Sequence, residues 1–320
     1  MAADPRQPRN VLVTGASGAL GKAIVADLAR RGRAVHAAAR HEIAGLPAGA
    51  VPHRIGEISG ETDWSEAIMG LEAVVHCAAL THLPEVGDDE AATAFRRANT
   101  DGTINLARQA AAAGARRFVF ISSATVNGRS SRSGPFRPSD PPHPPTAYSV
   151  SKLEAEQGLR ALEALTGIEV AIIRPPRIVW PEMKGNLALL ERLVRRGVPL
   201  PFGLVGRNRR DNVSPESLVS LVRACLDQPE AAGRTFLVSD GDPLSTRELV
   251  VRLARRIGRK PRLLPVPPAL LRLLIAATPA RLLGKLSRDE MADELLGDLE
   301  LDISETRRTL GWEPAEPVLR

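Results

Sequence analysis

Aromatic side chains are scarce in this 320-residue chain: three Trp, six Phe and a single Tyr, 3% of the whole. That is too few to build the stacking platforms on which single-stranded nucleic acids bind. Cysteine is scarcer still. Cys77 and Cys225 cannot make a disulfide framework, so a reducing cytosol is the expected home. Long apolar runs are missing too. The greasiest stretch, Ala269–Ala277, is broken by Arg272 and is too short for a bilayer. The amino-terminal MAADPRQPRN lacks the apolar core of a signal peptide. These absences predict a cytoplasmic protein with no membrane span. Among the 43 basic residues only five are Lys. The net charge of +6 and a pI near 10.0 come from Arg scattered in pairs such as Arg30-Arg31, Arg116-Arg117 and Arg195-Arg196. Scatter of this kind, with few aromatics, argues against a nucleic-acid partner. It fits a solvated Arg-rich surface, or an anionic small molecule such as a phosphate ester.

What is present is rhythm. Length allows one large domain or two small ones, and 43% hydrophobic with 25% charged is ordinary globular composition. Short apolar runs at Asn10–Thr14, Arg33–Ala39, Ala73–Ala78, Arg117–Ser122 and Glu169–Arg174 read as strands. Helical patterns lie between them at Ala19–Arg31, Trp64–Met69, Glu90–Ala113 and Thr146–Thr166, and Gly128–Pro145 reads as a loop. Strands alternating with helices predict right-handed βαβ units, hence an α/β fold with a doubly wound parallel sheet. After about Pro175 the rhythm changes. Helices are expected at Asn186–Arg196, Pro215–Asp227, Thr246–Ile257 and Pro268–Ala277, with one strand at Thr235–Ser239. The expectation is a Rossmann-type dinucleotide domain over residues 1–175 and a smaller, mostly helical substrate lobe over 176–320, interleaved with the first.

Gly15, Gly18 and Gly21 fall between the first strand and first helix. Without Cβ atoms the backbone turns tightly and approaches a pyrophosphate, and the helix amino terminus offers free N–H groups and a positive dipole end. Tyr148 and Lys152 stand four apart on a helix and so share a face. A neighbouring ammonium, aided by a nicotinamide cation, is expected to favour the phenolate and let Tyr148 exchange a proton with a substrate hydroxyl or carbonyl. Ser122-Ser123 ends a strand, at the sheet edge where open parallel sheets bind ligands. Ser123, Tyr148 and Lys152 together make a hydride-transfer constellation. No metal-ligating spacing is present.

With these motifs on one chain, and with VVHCAA (Val74–Ala79), ANTDGTINLARQA (Ala98–Ala110), IIRPP (Ile172–Pro176), TFLVSD (Thr235–Asp240) and LGW (Leu310–Trp312), the sequence resembles the extended short-chain dehydrogenase/reductases. This is the NAD-dependent epimerase/dehydratase family, in its branch of UDP-glucose 4-epimerase-like proteins and UDP-sugar 4-keto reductases. The resemblance spans nearly the whole chain and implies redox chemistry at C4 of a nucleotide-diphospho-sugar, of the surface-polysaccharide type. It implies Ser123 and Tyr148 at the C4 oxygen, and Lys152 also on the nicotinamide ribose. It implies cofactor contacts from Gly15, Ser17, Gly18, Ala19, Leu20, Glu57, Ile58, Ala78, Ala79 and Asn99. For His76 a place lining the cofactor and a satisfied strand-end histidine stand side by side. Asn186 and Arg210 match positions that hold the sugar nucleotide's diphosphate. A homodimer through two helices, one carrying Tyr148, is implied as well.

The chain departs from the family pattern in four places. Ala39-Arg40 stands where an Asp after the second strand often binds the adenosine ribose, so NADP(H) is expected over NAD(H). Glu57 replaces an Asp near adenine. Trp180 stands for a Gly beside the pocket and puts sugar specificity in question. Glu216-Ser217 replaces Asp-Asn in the second lobe. Arg40 tilts the reading toward a 4-keto reductase over a 4-epimerase. A 4,6-dehydratase is disfavoured because Ala124-Thr125, not Asp-Glu, follows Ser123. A reductase of a non-sugar ketone and a non-catalytic dinucleotide sensor remain as alternatives.

Overall fold

Apolar strands and amphipathic helices alternate along the first half of the chain, as the computed structural model shows for residues 7–81, 83, 87–131, 133–279 and 287–320. Residues 1–6 of the amino-terminal segment lie outside the described residues. In chain order come β1 (Asn10–Thr14), α1 (Ala19–Arg30), β2 (Ala34–Ala39), β3 (Val51–Arg54), α2 (Ser65–Ile68), β4 (Ala73–His76) and α3 (Asp88–Phe95). A π-helical turn (Arg96–Asp101) leads into α4 (Gly102–Ala112), followed by β5 (Arg117–Ile121), α5 (Ala147–Thr166) and β6 (Glu169–Arg174). The second half adds β7 (Arg177–Ile178), α6 (Gly185–Arg195), β8 (Asn212–Val213), α7 (Pro215–Asp227), β9 (Arg234–Leu237), α8 (Thr246–Arg256), α9 (Pro268–Ala277), α10 (Arg288–Leu296) and α11 (Ser304–Leu310).

Seven strands form one parallel sheet in the order β3-β2-β1-β4-β5-β6-β9. Side chains alternate across it with the period of two that a strand imposes. Val11, Val13, Val119, Ile121, Ala171 and Ile173 face one layer, filled by Ile24 and Leu28 of α1 and Leu218, Leu221 and Val222 of α7. Leu12, Val74, Phe118, Phe120, Val170 and Ile172 face the other, filled by Trp64, Leu106 and Ala110, and by Ala155 and Leu159 of α5. Strands buried on both faces read as unbroken apolar runs, which is why they were legible in the sequence. A third cluster joins α6, α8, α9 and α10 through Val194, Val250, Leu271, Ile275 and Ala292.

The sequence reading missed β3, whose VPHR is polar and carries a Pro at the sheet edge, and the short pair β7 and β8. The single helix expected over Glu90–Ala113 is instead α3, the π turn and α4. The strand expected within the second lobe, β9, pairs with β6 and extends the main sheet. The Arg-rich surface is also less exposed than its scatter suggested. Arg117 is buried, with its guanidinium on the carbonyls of Cys225 and Gln228 and on Glu169, and so ties α7 to the sheet. Asp27 of α1 takes Arg223 of α7 at 3.1 Å.

Candidate active site

The strand order reverses between β1 and β4, and at such a switch point the loops leaving the two carboxyl ends part to leave a crevice. Gly15 follows β1 with φ +66°, and a Cβ there would stand 2.9 Å from the backbone nitrogen of Ala78, just past β4. Only glycine meets both demands. Gly18 caps α1 with no side chain over the helix end, and α1 carries no acidic residue in its first turn. The crevice is a cleft of about 870 Å³. It brings together Gly15, Ser17, Gly18, Arg40, Glu57, Ile58, Ala78 and Ala79, as expected from the sequence. Ala19 and Leu20 open α1 beside it without lining it. A Gly-rich turn, an uncapped helix end and an elongated cleft suit a dinucleotide, with its pyrophosphate at α1. Ser123, Tyr148 and Lys152 line neither this cleft nor a shallower depression of about 580 Å³ lined by Asp242, Arg252, Glu316 and Arg320.

The far wall of the cleft comes from α3 and the π turn, which sequence reasoning did not assign. Glu90, Thr93, Ala94, Arg97 and Ala98 line it at spacings of three and four. That helical stripe was the available signal.

Ser123, Tyr148 and Lys152 are fixed by contacts between β5 and α5. Thr146 caps α5 in a capping box with Ser149, setting where Tyr148 enters the helix. Lys152 is buried, with its Nζ 4.1 Å from the Phe120 ring centroid. One turn on, Glu156 accepts from Ser122 Oγ and from Arg174 Nε and Nη2 at 3.0 and 2.6 Å. The residue before Ser123 is thereby clamped to the helix that carries Tyr148. Ser123 Oγ lies 2.8 Å from Thr125 Oγ1 and caps the turn after β5. The Tyr148 ring meets Phe95 edge-on, centroids 5.9 Å apart.

The electrostatics differ from the sequence expectation. Burial pushes the Tyr148 phenol up to about 12. No lowering by Lys152 offsets this, because burial pushes the Lys152 ammonium down to about 7, against the opposing pull of Glu156 and Cys77. Desolvation is the largest cause for both groups, and neither shifts the other.

His76 is the satisfied histidine. Ala78 N–H donates to Thr14 Oγ1, which donates to His76 Nδ1 at 2.7 Å. His76 Nε2–H donates to Thr103 Oγ1, which in turn donates to the Asn99 carbonyl. This directed chain assigns the neutral Nε2–H tautomer, and burial pushes the ring down to about 3. The Asn99 side chain is engaged as well: it accepts from Leu80 N–H and donates to Leu80 O and Ser151 Oγ. It holds the loop after β4 against α5 and does not line the cleft.

On the substrate side, Asn186 is exposed on the first turn of α6. Lys184, the residue before α6, has its Nζ 4.6 Å from the Trp180 ring centroid. Arg210 is engaged: it donates to the Asp293 carbonyl at 2.7 Å and to Glu294 at 3.2 Å. The Ser217 departure is structural, its hydroxyl bonding Asp240 at 2.6 Å and accepting Ala315 N–H.

Residues 11–239 match the model of the NAD dependent epimerase/dehydratase family. The chain is 40% identical over 317 residues to a UDP-glucose 4-epimerase of Vibrio cholerae, covering 98% of this chain and 94% of that one. Among solved structures it superposes on UDP-N-acetylglucosamine 4-epimerase from Bacillus cereus with a TM-score of 0.76 at 20% identity, covering 97% and 95% of the two chains. It superposes likewise on a short-chain dehydrogenase/reductase superfamily protein from Agrobacterium tumefaciens with bound NAD, TM-score 0.73, 25% identical, covering 97% and 93%.

Proposed function

Since the chain belongs to the NAD dependent epimerase/dehydratase family, we propose that it performs hydride transfer at C4 of a UDP-sugar, as a 4-epimerase. The observations that support this reading are two contacts between the β5 end and α5, Lys152 against the Phe120 ring and Ser122 on Glu156, which tie the segment leading to Ser123 to the helix that carries Tyr148 and Lys152. The likeness to the Vibrio cholerae enzyme along almost both full chains supports the epimerase version.

In this mechanism the Gly15–Gly18 turn and the α1 end would hold the dinucleotide's pyrophosphate, and Lys152 would hold its ribose. The bound nicotinamide supplies the hydride acceptor and donor. Tyr148 would first release its own proton to solvent as the cationic nicotinamide binds, then would take the proton of the C4 hydroxyl as the 4-keto sugar forms and return it when C4 is reduced from the opposite face. Ser123 hydrogen-bonds the C4 oxygen throughout. Asn186, with Lys184 and Trp180 beside it, meets the diphosphate and sugar. Arg210 joins them only by leaving Glu294. The same reading includes a cytoplasmic homodimer formed through α5, on which Val150 is exposed.

Arg40 supports a second version, a UDP-sugar 4-keto reductase that uses NADP(H). Arg40 lines the cleft after β2, beside Ala39, at the place where the family often has an Asp that would repel a 2′-phosphate.

The test is to incubate purified protein with UDP-glucose, UDP-galactose, their N-acetyl forms and UDP-4-keto-6-deoxy sugars, with NAD or NADPH. Interconversion of C4 epimers without net cofactor consumption supports the epimerase. Stoichiometric NADPH oxidation by the keto sugars supports the reductase. No turnover, and no thermal protection by UDP or any nucleoside diphosphate, overturns both. Arg40→Ala is expected to weaken NADP(H) selectively. Equal losses for both cofactors would mean that Arg40 merely stacks on the adenine.

A further inference from the structure

We propose that α9 and the loop before it dock on the surface of an anionic lipid bilayer, so that the protein sits peripherally on a membrane. Two observations meet on this segment. The first is an apolar face turned outward. Leu271 and Ile275 of α9 point into the cluster of Val194, Val250 and Ala292. Leu270, Leu273 and Leu274, at spacings of three and four, stand 47%, 64% and 51% exposed, and Leu264 in the loop is 48% exposed. A helix with one apolar face in the core and a second in water is under-covered.

The second observation is charge. Residues 249–277 carry seven basic residues and no acidic one. Arg252 is held by Asp242, and Arg256 donates to the Pro181 carbonyl. Arg255 lines the depression that also holds Glu248 and Glu316, while Arg259, Lys260, Arg262 and Arg272 are exposed and have no ion pair or side-chain hydrogen bond among the described residues. The acidic groups of neighbouring α10 do not neutralise them. Asp293 takes Arg129, Glu294 takes Arg177 and Arg210, and Glu290 closes the capping box with Ser287. Asp289 alone is unengaged there among the described residues.

Exposed leucines interleaved with unpaired cations match one surface chemically: acyl chains beneath anionic headgroups. A polyanion in solution would satisfy the cations and leave the leucines wet. A second copy of the chain would bring the same positive charge to the contact. No helix among the described residues is long and apolar enough to cross a membrane, so the association proposed is interfacial.

The test is co-sedimentation of the full chain with vesicles of phosphatidylglycerol and phosphatidylcholine, against vesicles of phosphatidylcholine alone. Binding is expected on the anionic vesicles only, weakening as salt rises. Leu270→Gln/Leu273→Gln/Leu274→Gln is expected to lower partitioning about tenfold or more, and Arg259→Glu/Lys260→Glu/Arg262→Glu to do the same. These side chains are exposed, so both variants are expected to keep the wild-type melting temperature and dinucleotide affinity, which checks that they fold. No binding to anionic vesicles overturns the proposal. So does undiminished binding of the leucine variant, which would make the segment a general polyanion site. Conversion of a dimer to a monomer by the leucine variant in lipid-free sedimentation velocity overturns it too, since the face would then belong to a second copy.

Discussion

The ammonium of Lys152 lies 4.1 Å from the ring centroid of Phe120 and has no carboxylate or carbonyl bonded to it among the described residues. A buried cation held by a ring face and a neighbouring turn of helix is only half committed to its charge, and burial pushes it down to about 7. Binding of an anionic dinucleotide is therefore expected to draw a proton onto Lys152. Calorimetry of NAD(P) binding at pH 8, in buffers of different ionisation enthalpy, should show net proton uptake. Lys152→Met should abolish it and weaken the cofactor. Zero uptake by the wild type would mean that the ammonium is already fully charged.

Tyr148→Phe keeps the edge contact with Phe95 and removes the phenolic proton. Turnover is expected to fall by about 10²–10⁴-fold, with cofactor affinity and melting temperature nearly unchanged. Ser123→Ala should also lower turnover and spare the cofactor. Steady-state rates on the sugar nucleotide that interconverts in the assay above decide this, and a near wild-type rate for Tyr148→Phe would remove the phenol from the mechanism.

Glu156 is expected to be among the most sensitive positions for stability. It and Arg174 are 6% and 7% exposed, and removing one partner of a buried pair leaves the other charge uncompensated. Glu156→Ala should cost about 3–5 kcal/mol in urea unfolding. Glu156→Gln, which still accepts from Ser122, should cost less. A loss under about 1 kcal/mol, the size of an exposed pair, would show that Arg174 finds another partner.

His76 sets a pH dependence whose sign is fixed. The ring sits at about 3 in the folded chain, below its ordinary 6.5, so the unfolded state binds the proton first. Its stabilising contribution is complete above 6.5 and is lost as pH falls, reaching about 2 kcal/mol at pH 5. Burial lowers His36 and His53 as well, in the same direction. Asp211 opposes them, because burial pushes its carboxyl up to about 6 and the folded state gains as it protonates. The measurement is thus the difference in slope between wild type and His76→Asn from pH 7 to 5. Equal slopes would mean that the ring titrates normally.

The parts of this protein that could be read from its sequence are those governed by local pattern. Strands such as Phe118–Ile121, buried on both faces, announce themselves, and Gly15 marks the cleft that the β1–α1 turn lines. What escaped depends on groups distant in the chain. Nothing local to Arg210 says that Glu294 holds it, and nothing local to Lys152 reveals the burial that drives it toward neutrality. Asn99 read as a ligand position because its type and place matched the family, while its partners Leu80 and Ser151 are set by tertiary packing. The π turn was hidden because a single extra residue per turn barely disturbs a helical pattern.

The strand β9 has a consequence for how the molecule is made. It closes the outer edge of β6, yet roughly sixty residues separate the two in the chain. At about 5–20 residues per second a ribosome needs about 3–12 s to supply that cover. Through that interval the apolar Val170–Ile173 edge of the nascent chain waits with open backbone groups, a template for pairing with any other strand. The late-synthesised half thus protects the early one during birth, and a chain terminated before Leu237 should accumulate as aggregate or chaperone client.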